Sequence, residues 1–151
     1  MPKRDLILLV EDDPDDEQLA LEALSAHRHL ARISVTRDGQ EALDYLLAEG
    51  PWAGRNPERP RVVLMDLKLP KIDGLGVLSR IRGTPGIELL PVVIMTSSKQ
   101  EEDLLRSYKS GANSYVQKPV DFDSFRAVVQ ETGLYWVGIN EPVRDELGKR
   151  V

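Results

Sequence analysis

At 151 residues the chain can bury one proper hydrophobic core, since a domain near this size removes roughly two thirds of its unfolded surface from water, and a separate output domain does not fit. The formal charge of -5, from 25 acidic and 20 basic residues, argues against nucleic-acid binding, which asks for a clustered basic face, and with no cysteine there is neither a disulfide framework nor a thiolate metal site. Met1-Pro2-Lys3-Arg4-Asp5 leads into only five apolar residues, too few for a signal-peptide core or a membrane span, so a cytoplasmic protein without membrane association is expected.

Short apolar runs alternate with stretches of helical periodicity, the signature of a parallel α/β sheet. Leu6 to Val10 reads as the first strand. Pro14, placed just after Asp13 as a first-turn proline, opens a helix with Leu19, Ala20, Ala23 and Leu24 on one face. His27 and His29 fall at its end as surface residues. Arg32 to Thr36 is the second strand, Asp38 an N-cap, and Ala42, Leu43, Leu46 and Leu47 the next apolar stripe. Gly50 to Arg61, rich in Pro, Gly and Arg, reads as an extended loop inserted before the third strand, Val62 to Met65. Val77, Leu78 and Ile81 mark the third helix, and Pro91 to Met95 the fourth strand. Leu104, Leu105 and Tyr108 form the fourth stripe, Ser114 to Gln117 the fifth strand, and Phe122, Phe125, Val128 and Val129 the fifth stripe behind an Asp121 cap. After Gly133 an apolar tail of Leu134, Tyr135, Trp136, Val137 and Ile139 precedes a charged end.

In an open parallel sheet, ligands bind beyond the carboxyl ends of the strands, where the strand order reverses. Glu11, Asp12 and Asp13 follow the first strand, Asp66 the third, Thr96 the fourth, and Lys118 with Pro119 the fifth. Crowded carboxylates either hold protons at raised pKa or bind a cation, and an all-oxygen set suits Mg²⁺, or Mn²⁺ in its place. A metal held by one or two carboxylates and waters leaves room for phosphate oxygens, which points to phosphoryl transfer. In such a transfer Asp66 can attack, while the cation, Lys118 and Thr96 each hold a phosphoryl oxygen. Singly, each residue has a plainer reading: Glu11 to Asp13 as helix caps, Asp66 in a turn, Thr96 as an N-cap, Tyr115 half-buried in a strand, Lys118 as a solvated charge. Their conjunction at the ends of the strands favours a site.

Val10-Glu11-Asp12-Asp13-Pro14, Met65-Asp66-Leu67-Lys68-Leu69-Pro70 running to Asp73-Gly74, Met95-Thr96-Ser97, and Gly111-Ala112 with Tyr115 to Pro119 resemble the receiver domain of two-component response regulators, from Asp5 to about Gly133. That resemblance implies a flavodoxin-like (βα)5 fold, a doubly wound parallel sheet of strand order 2-1-3-4-5, with residues 1–133 as the receiver and 134–151 as an extension of the same domain. It makes Asp66 the phosphoacceptor for a sensor histidine kinase, and Glu11, Asp12, Asp66 and the backbone carbonyl of Lys68 the metal ligands. Three consecutive acids can align in two registers; the proline position favours Glu11 with Asp12 and leaves Asp13 as a helix cap. Thr96 and Tyr115 become the switch pair. Lys68 and Ser98 occupy the positions that tune water attack, and since neither offers a carboxylate base or an amide clamp, slow autodephosphorylation is expected. Family receivers also carry a cis bond at the position of Lys118-Pro119.

The Trp52 loop, Leu69-Pro70-Lys71, Ser107-Tyr108 and the Trp136 tail further resemble stand-alone receivers that serve bacterial phytochromes, which implies a kinase of phytochrome type. Competing readings fit less well. A haloacid dehalogenase phosphatase wants an Asp-x-Asp motif where Lys68 stands, a flavin or nucleotide binder wants a first loop that is not acidic, and a degenerate scaffold would not keep the acid, hydroxyl and lysine set. A homodimer is expected on the fourth helix, fifth strand and fifth helix with the tail, guided by Glu101, Glu102 and Asp103 against Arg106, Lys109 and Arg126; alternatively the tail folds back on its own fifth helix.

Overall fold

The computed structural model describes residues 4–55 and 58–144. Five parallel strands, β1 (Asp5–Val10), β2 (Ala31–Thr36), β3 (Val62–Met65), β4 (Val92–Thr96) and β5 (Ser114–Gln117), lie in the order β2-β1-β3-β4-β5. Between and after them run α1 (Pro14–Leu24), α2 (Gly39–Leu47), α3 (Gly74–Arg82), α4 (Glu101–Lys109) and α5 (Phe122–Leu134). This is the flavodoxin-like arrangement expected. The reversal from β2 to β3 on either side of β1 opens a crevice at the carboxyl ends.

Because successive strand residues face opposite sides, the sheet feeds two cores. Leu8, Val10, Val63, Met65 and Ile94 meet α2 and α3 through Leu43, Leu46, Val77, Leu78 and Ile81. Ile7, Leu9, Leu64, Val93 and Met95 meet α1 and α5 through Ala20, Leu24, Phe125 and Val129. β1, β3 and β4 are therefore almost wholly buried, which is why they read as continuous apolar runs rather than alternating ones.

Helix starts follow the expected chemistry. Asp13 accepts from the backbone N–H groups of Asp15 (2.8 Å) and Asp16 (3.1 Å), Asp38 from Glu41 (2.7 Å), and Asp121 from Ser124 (2.8 Å). Asp73 does the same for Gly76 (2.8 Å). The α4 N-cap residue, Gln100, makes no side-chain capping bond; its own N–H is taken by the Ser98 hydroxyl oxygen at 3.2 Å. The far end of α4 is held differently. The Arg82 guanidinium donates to the carbonyls of Glu88 (3.0 Å), Leu90 (2.7 Å) and Gly111 (2.8 and 3.0 Å) and to Asn113 Oδ1 (2.8 Å), tying the loop after α3 to the turn after α4.

Four expectations need correction. The α4 stripe does not face the sheet: Leu104, Leu105 and Tyr108 are 39%, 54% and 49% exposed, and the residue seated inward is Ser107, whose hydroxyl donates to the Asp103 carbonyl at 2.7 Å. Periodicity identifies an apolar stripe without saying which way it points. Phe122, at the first turn of α5, is exposed for the same reason, while Phe125 and Val129 are buried. The Lys118-Pro119 bond is trans, as are all peptide bonds among the described residues; trans is the lower-energy form even before proline. The tail divides: helical geometry continues through Tyr135–Ile139, Val137 is buried and Trp136 half-buried in the α1/α5 core, whereas Leu134, Tyr135 and Ile139 are exposed. Residues 145–151 of the proposed extension lie outside the described residues.

The inserted loop is fastened at several points. Trp52 stands edge-on to Tyr45 with ring centres 5.3 Å apart, Arg32 pairs with Glu58, and Arg61 binds Asp5 (2.7 Å) and the Asn140 carbonyl (2.6 Å). Among the described residues no helix is long and apolar enough to cross a membrane.

Gly74 is required by close approach, since a Cβ there would lie 2.4 Å from the Asp66 carbonyl oxygen and 2.8 Å from Leu67 Cα. Both contacts are to backbone, so relief would require moving the segment that carries Asp66. Gly74→Ala is expected to cost about 2 to 3 kcal/mol, the upper part of the range for overpacking a tight interior, measured as a lowered urea midpoint with an unchanged m value.

Candidate functional site

Each central residue of the site lies one position past a strand, where the ladder still controls it. The Glu11 N–H donates to the Thr36 carbonyl (3.0 Å), the Asp66 N–H to the Val10 carbonyl (3.2 Å), and the Lys118 N–H to the Thr96 carbonyl (2.7 Å). The backbone at these positions is thus as fixed as the sheet, and the side chains converge over its carboxyl edge.

Lys118 stands at their focus. Its Nζ donates to Glu11, to Asp16 Oδ2 at 2.7 Å and to Asp66 Oδ2 at 2.8 Å, so all three ammonium N–H groups are directed at carboxylates. The Lys118 and Glu11 side chains are only 7% and 5% exposed. Burial pushes the Glu11 carboxyl up to about 7, against the lowering effect of Lys118 and with the help of Asp66 and Asp16. Burial alone would lower the Lys118 pKa, but hydrogen bonds to Asp16, Asp66 and Glu11 outweigh it and hold it above the ordinary lysine value.

One ammonium against three carboxylates leaves an excess of negative charge in a partly dry crevice, and charges at such distances interact strongly where water is scarce. Among the described residues no three acids or histidines form a ready-made cation cage. Mg²⁺ and Mn²⁺ do not require one: Mg²⁺ is commonly held by one or two carboxylates, with water and phosphate completing the shell. The oxygen donors and the unbalanced charge therefore fit a divalent cation.

The remaining expected residues surround this focus. Asp12 is exposed at the rim, and its backbone N–H donates to Glu11 Oε2 at 3.1 Å. Lys68 is exposed, and its N–H donates to Asp66 Oδ1 at 3.2 Å, so that both oxygens of Asp66 have partners. Thr96 is buried, with Oγ1 accepting from the Ser98 N–H at 3.2 Å. The Ser98 carbonyl accepts from the Tyr115 hydroxyl (3.3 Å) and from Gln117 Nε2 (3.4 Å), while the Ser98 hydroxyl donates to Asp103 Oδ2 (2.6 Å). Thr96 and Tyr115 are thus linked through Ser98. Burial raises the Tyr115 pKa, which keeps its hydroxyl protonated as a donor.

Asp16 is the residue that reading the strand ends missed. It lies on the first turn of α1, where an acid is ordinarily accounted for by the helix dipole. Its only sequence signal is a position five residues beyond Glu11, on the turn capped by Asp13.

Residues 7–130 match the family of the response regulator receiver domain. The probable methanogenesis regulatory protein FilR2 of Methanothrix harundinacea is 43% identical over 136 residues, covering 89% of this chain and 85% of FilR2. Response regulator Rcp1 of Synechocystis is 35% identical over 132 residues, covering 87% of this chain and 88% of Rcp1. Its Mn(2+)-bound structure has a TM-score of 0.84 at 34% identity, over 91% of this chain and 97% of that one. The phosphorylated cyanobacterial phytochrome response regulator RcpA has a TM-score of 0.86 at 34% identity, over 92% of this chain and 98% of that one. With the strand order and the match over most of its length in agreement, the chain belongs to the response regulator receiver family, with a role in two-component signalling and a close likeness to phytochrome response regulators.

Proposed function

We propose that the protein is a phosphorylation switch in which Asp66 accepts a phosphoryl group from the phosphohistidine of a sensor histidine kinase of the phytochrome type. The observation that carries this reading is the placement of the Lys118 ammonium between Glu11 and Asp66: a nucleophilic carboxylate beside a buried cation. An oxygen of Asp66 attacks phosphorus and the P–N bond breaks; its electron pair stays with the imidazole, whose other ring nitrogen carries a proton, so that the histidine leaves neutral. Asp66 is oriented for this by the Lys68 N–H on one oxygen and Lys118 on the other. Lys118 and Thr96 then hold phosphoryl oxygens. A Mg²⁺ or Mn²⁺ ion held by Glu11, Asp12, Asp66 and the Lys68 backbone carbonyl would neutralise charge on the arriving group. Support for the cation comes from the donor set and from the Mn(2+)-bound Rcp1 relative; support for the kinase class comes from RcpA.

The new phosphoryl group draws the Thr96 hydroxyl toward it, which disturbs the Ser98 segment and hence the Tyr115 hydrogen bond, shifting a two-state equilibrium at the β4–α4 loop. Lys68 and Ser98 supply no base for attacking water, so the phosphorylated state decays slowly.

The chain acts through its surface, with residues 1–133 as the receiver and 134–151 as its extension. Leu104, Leu105 and Tyr108 on α4, with Leu134, Tyr135 and Ile139 at the end of α5, supply apolar area suited to a homodimer. Glu101 and Glu102 against Arg106 and Lys109 provide self-complementary charge for a two-fold contact. Of the other charges on this face, Arg126 turns toward Glu22 at 4.0 Å and Asp103 is engaged by Ser98.

Incubation with a phosphorylated kinase is expected to label the wild type only when a divalent cation is present, and Asp66→Asn is expected to take no label; labelling of that variant at the wild-type rate refutes the acceptor assignment. Light scattering of the intact chain at micromolar concentration is expected to give twice the monomer mass, and Leu105→Arg to give the monomer mass. A monomeric wild type, with and without phosphorylation, refutes the dimer.

A further inference from the structure

We propose that Asp16 is a positioning residue that keeps Lys118 in place while phosphoryl transfer proceeds; the proposal rests on the reading of Asp66 as the acceptor. Of the three carboxylates on the Lys118 ammonium, Glu11 and Asp66 are the two that would also serve a divalent cation, and Asp66 gives up its carboxylate character when it becomes an acyl phosphate. Asp16 belongs to neither demand. It approaches from α1 rather than from a strand end, bonds Lys118 Nζ at 2.7 Å, and has its own backbone fixed by the Asp13 cap at 3.1 Å. When Lys118 turns one N–H from Asp66 to a phosphoryl oxygen, Asp16 is the acceptor whose hold on the ammonium does not change. Without it, a long flexible side chain would have to be ordered anew at the moment of transfer, and ordering such a chain costs free energy.

Asp16 is partly exposed, at 29% of its side chain, so its replacement leaves the core intact. With acetyl phosphate as donor and Mg²⁺ at saturation, Asp16→Ala is expected to lower the maximal phosphorylation rate about tenfold, as loss of a group supporting a reacting side chain does, with little change in the half-saturating donor concentration. Asp16→Asn, whose amide oxygen still accepts a hydrogen bond, is expected to recover much of that rate. NMR of the unphosphorylated full chain with labelled lysine gives an independent readout: the two Lys118 ε protons are expected to have separate shifts in the wild type and in Asp16→Asn, and a narrower separation in Asp16→Ala, where only Glu11 and Asp66 remain to hold the ammonium. A maximal rate for Asp16→Ala equal to or above wild type, or ε-proton shifts as separate as in the wild type, overturns the proposal. A wild type that takes no phosphoryl group at all defeats the acceptor reading instead, and the NMR comparison then still decides whether Asp16 anchors Lys118.

Discussion

The site depends on a single buried ammonium. Three carboxylates brought together by β1, β3 and α1 repel one another, and the folded chain tolerates them because Lys118 at the end of β5 reaches all three. The pairing is incomplete by charge, and that incompleteness is what makes the crevice receptive to further positive charge. A fully neutralised cluster would be inert, and one lacking the lysine would oppose closure of the sheet's carboxyl edge.

The strand ends convert this electrostatic requirement into geometry. Backbone bonds of Glu11, Asp66 and Lys118 extend the ladder one residue beyond the regular strands, so their Cα positions inherit the rigidity of the doubly covered sheet. What remains adjustable lies on the loops. The Ser98 segment, linking Thr96 to Tyr115 and Asp103, is held by a few hydrogen bonds rather than by packing. Rigid acceptors beside a lightly held loop suit a device that must keep its chemistry fixed while its surface changes.

Most of this architecture was legible in the sequence because it depends on patterns that local chemistry enforces: buried strands as unbroken apolar runs, aspartates where helix N–H groups need acceptors, acids and a lysine immediately after strands. What was not legible depended on orientation in three dimensions. The α4 stripe has ordinary helical spacing, and only the packing of Ser107 against the sheet reveals that the leucines point outward. The tail is uniformly apolar in sequence, yet its helical continuation buries Val137 and exposes Ile139 two residues later. Asp16 escaped notice because its partner, Lys118, is 102 residues away, a contact that no local period encodes.

The unequal fastening of α4 has a mechanical consequence. At its C-terminal end the Arg82 guanidinium gathers four main-chain hydrogen bonds and one side-chain bond into a pivot, while at its N-terminal end only Ser98 stands in for a cap. A helix of nine residues is about 13 Å long, so a tilt of about 10° about that pivot would carry the free end roughly 2 Å and leave the clamped end almost still. The helix would thus act as a lever whose long arm ends beside Ser98, which is bonded to Thr96, and a small displacement there would change the slope of the whole exposed leucine and tyrosine face.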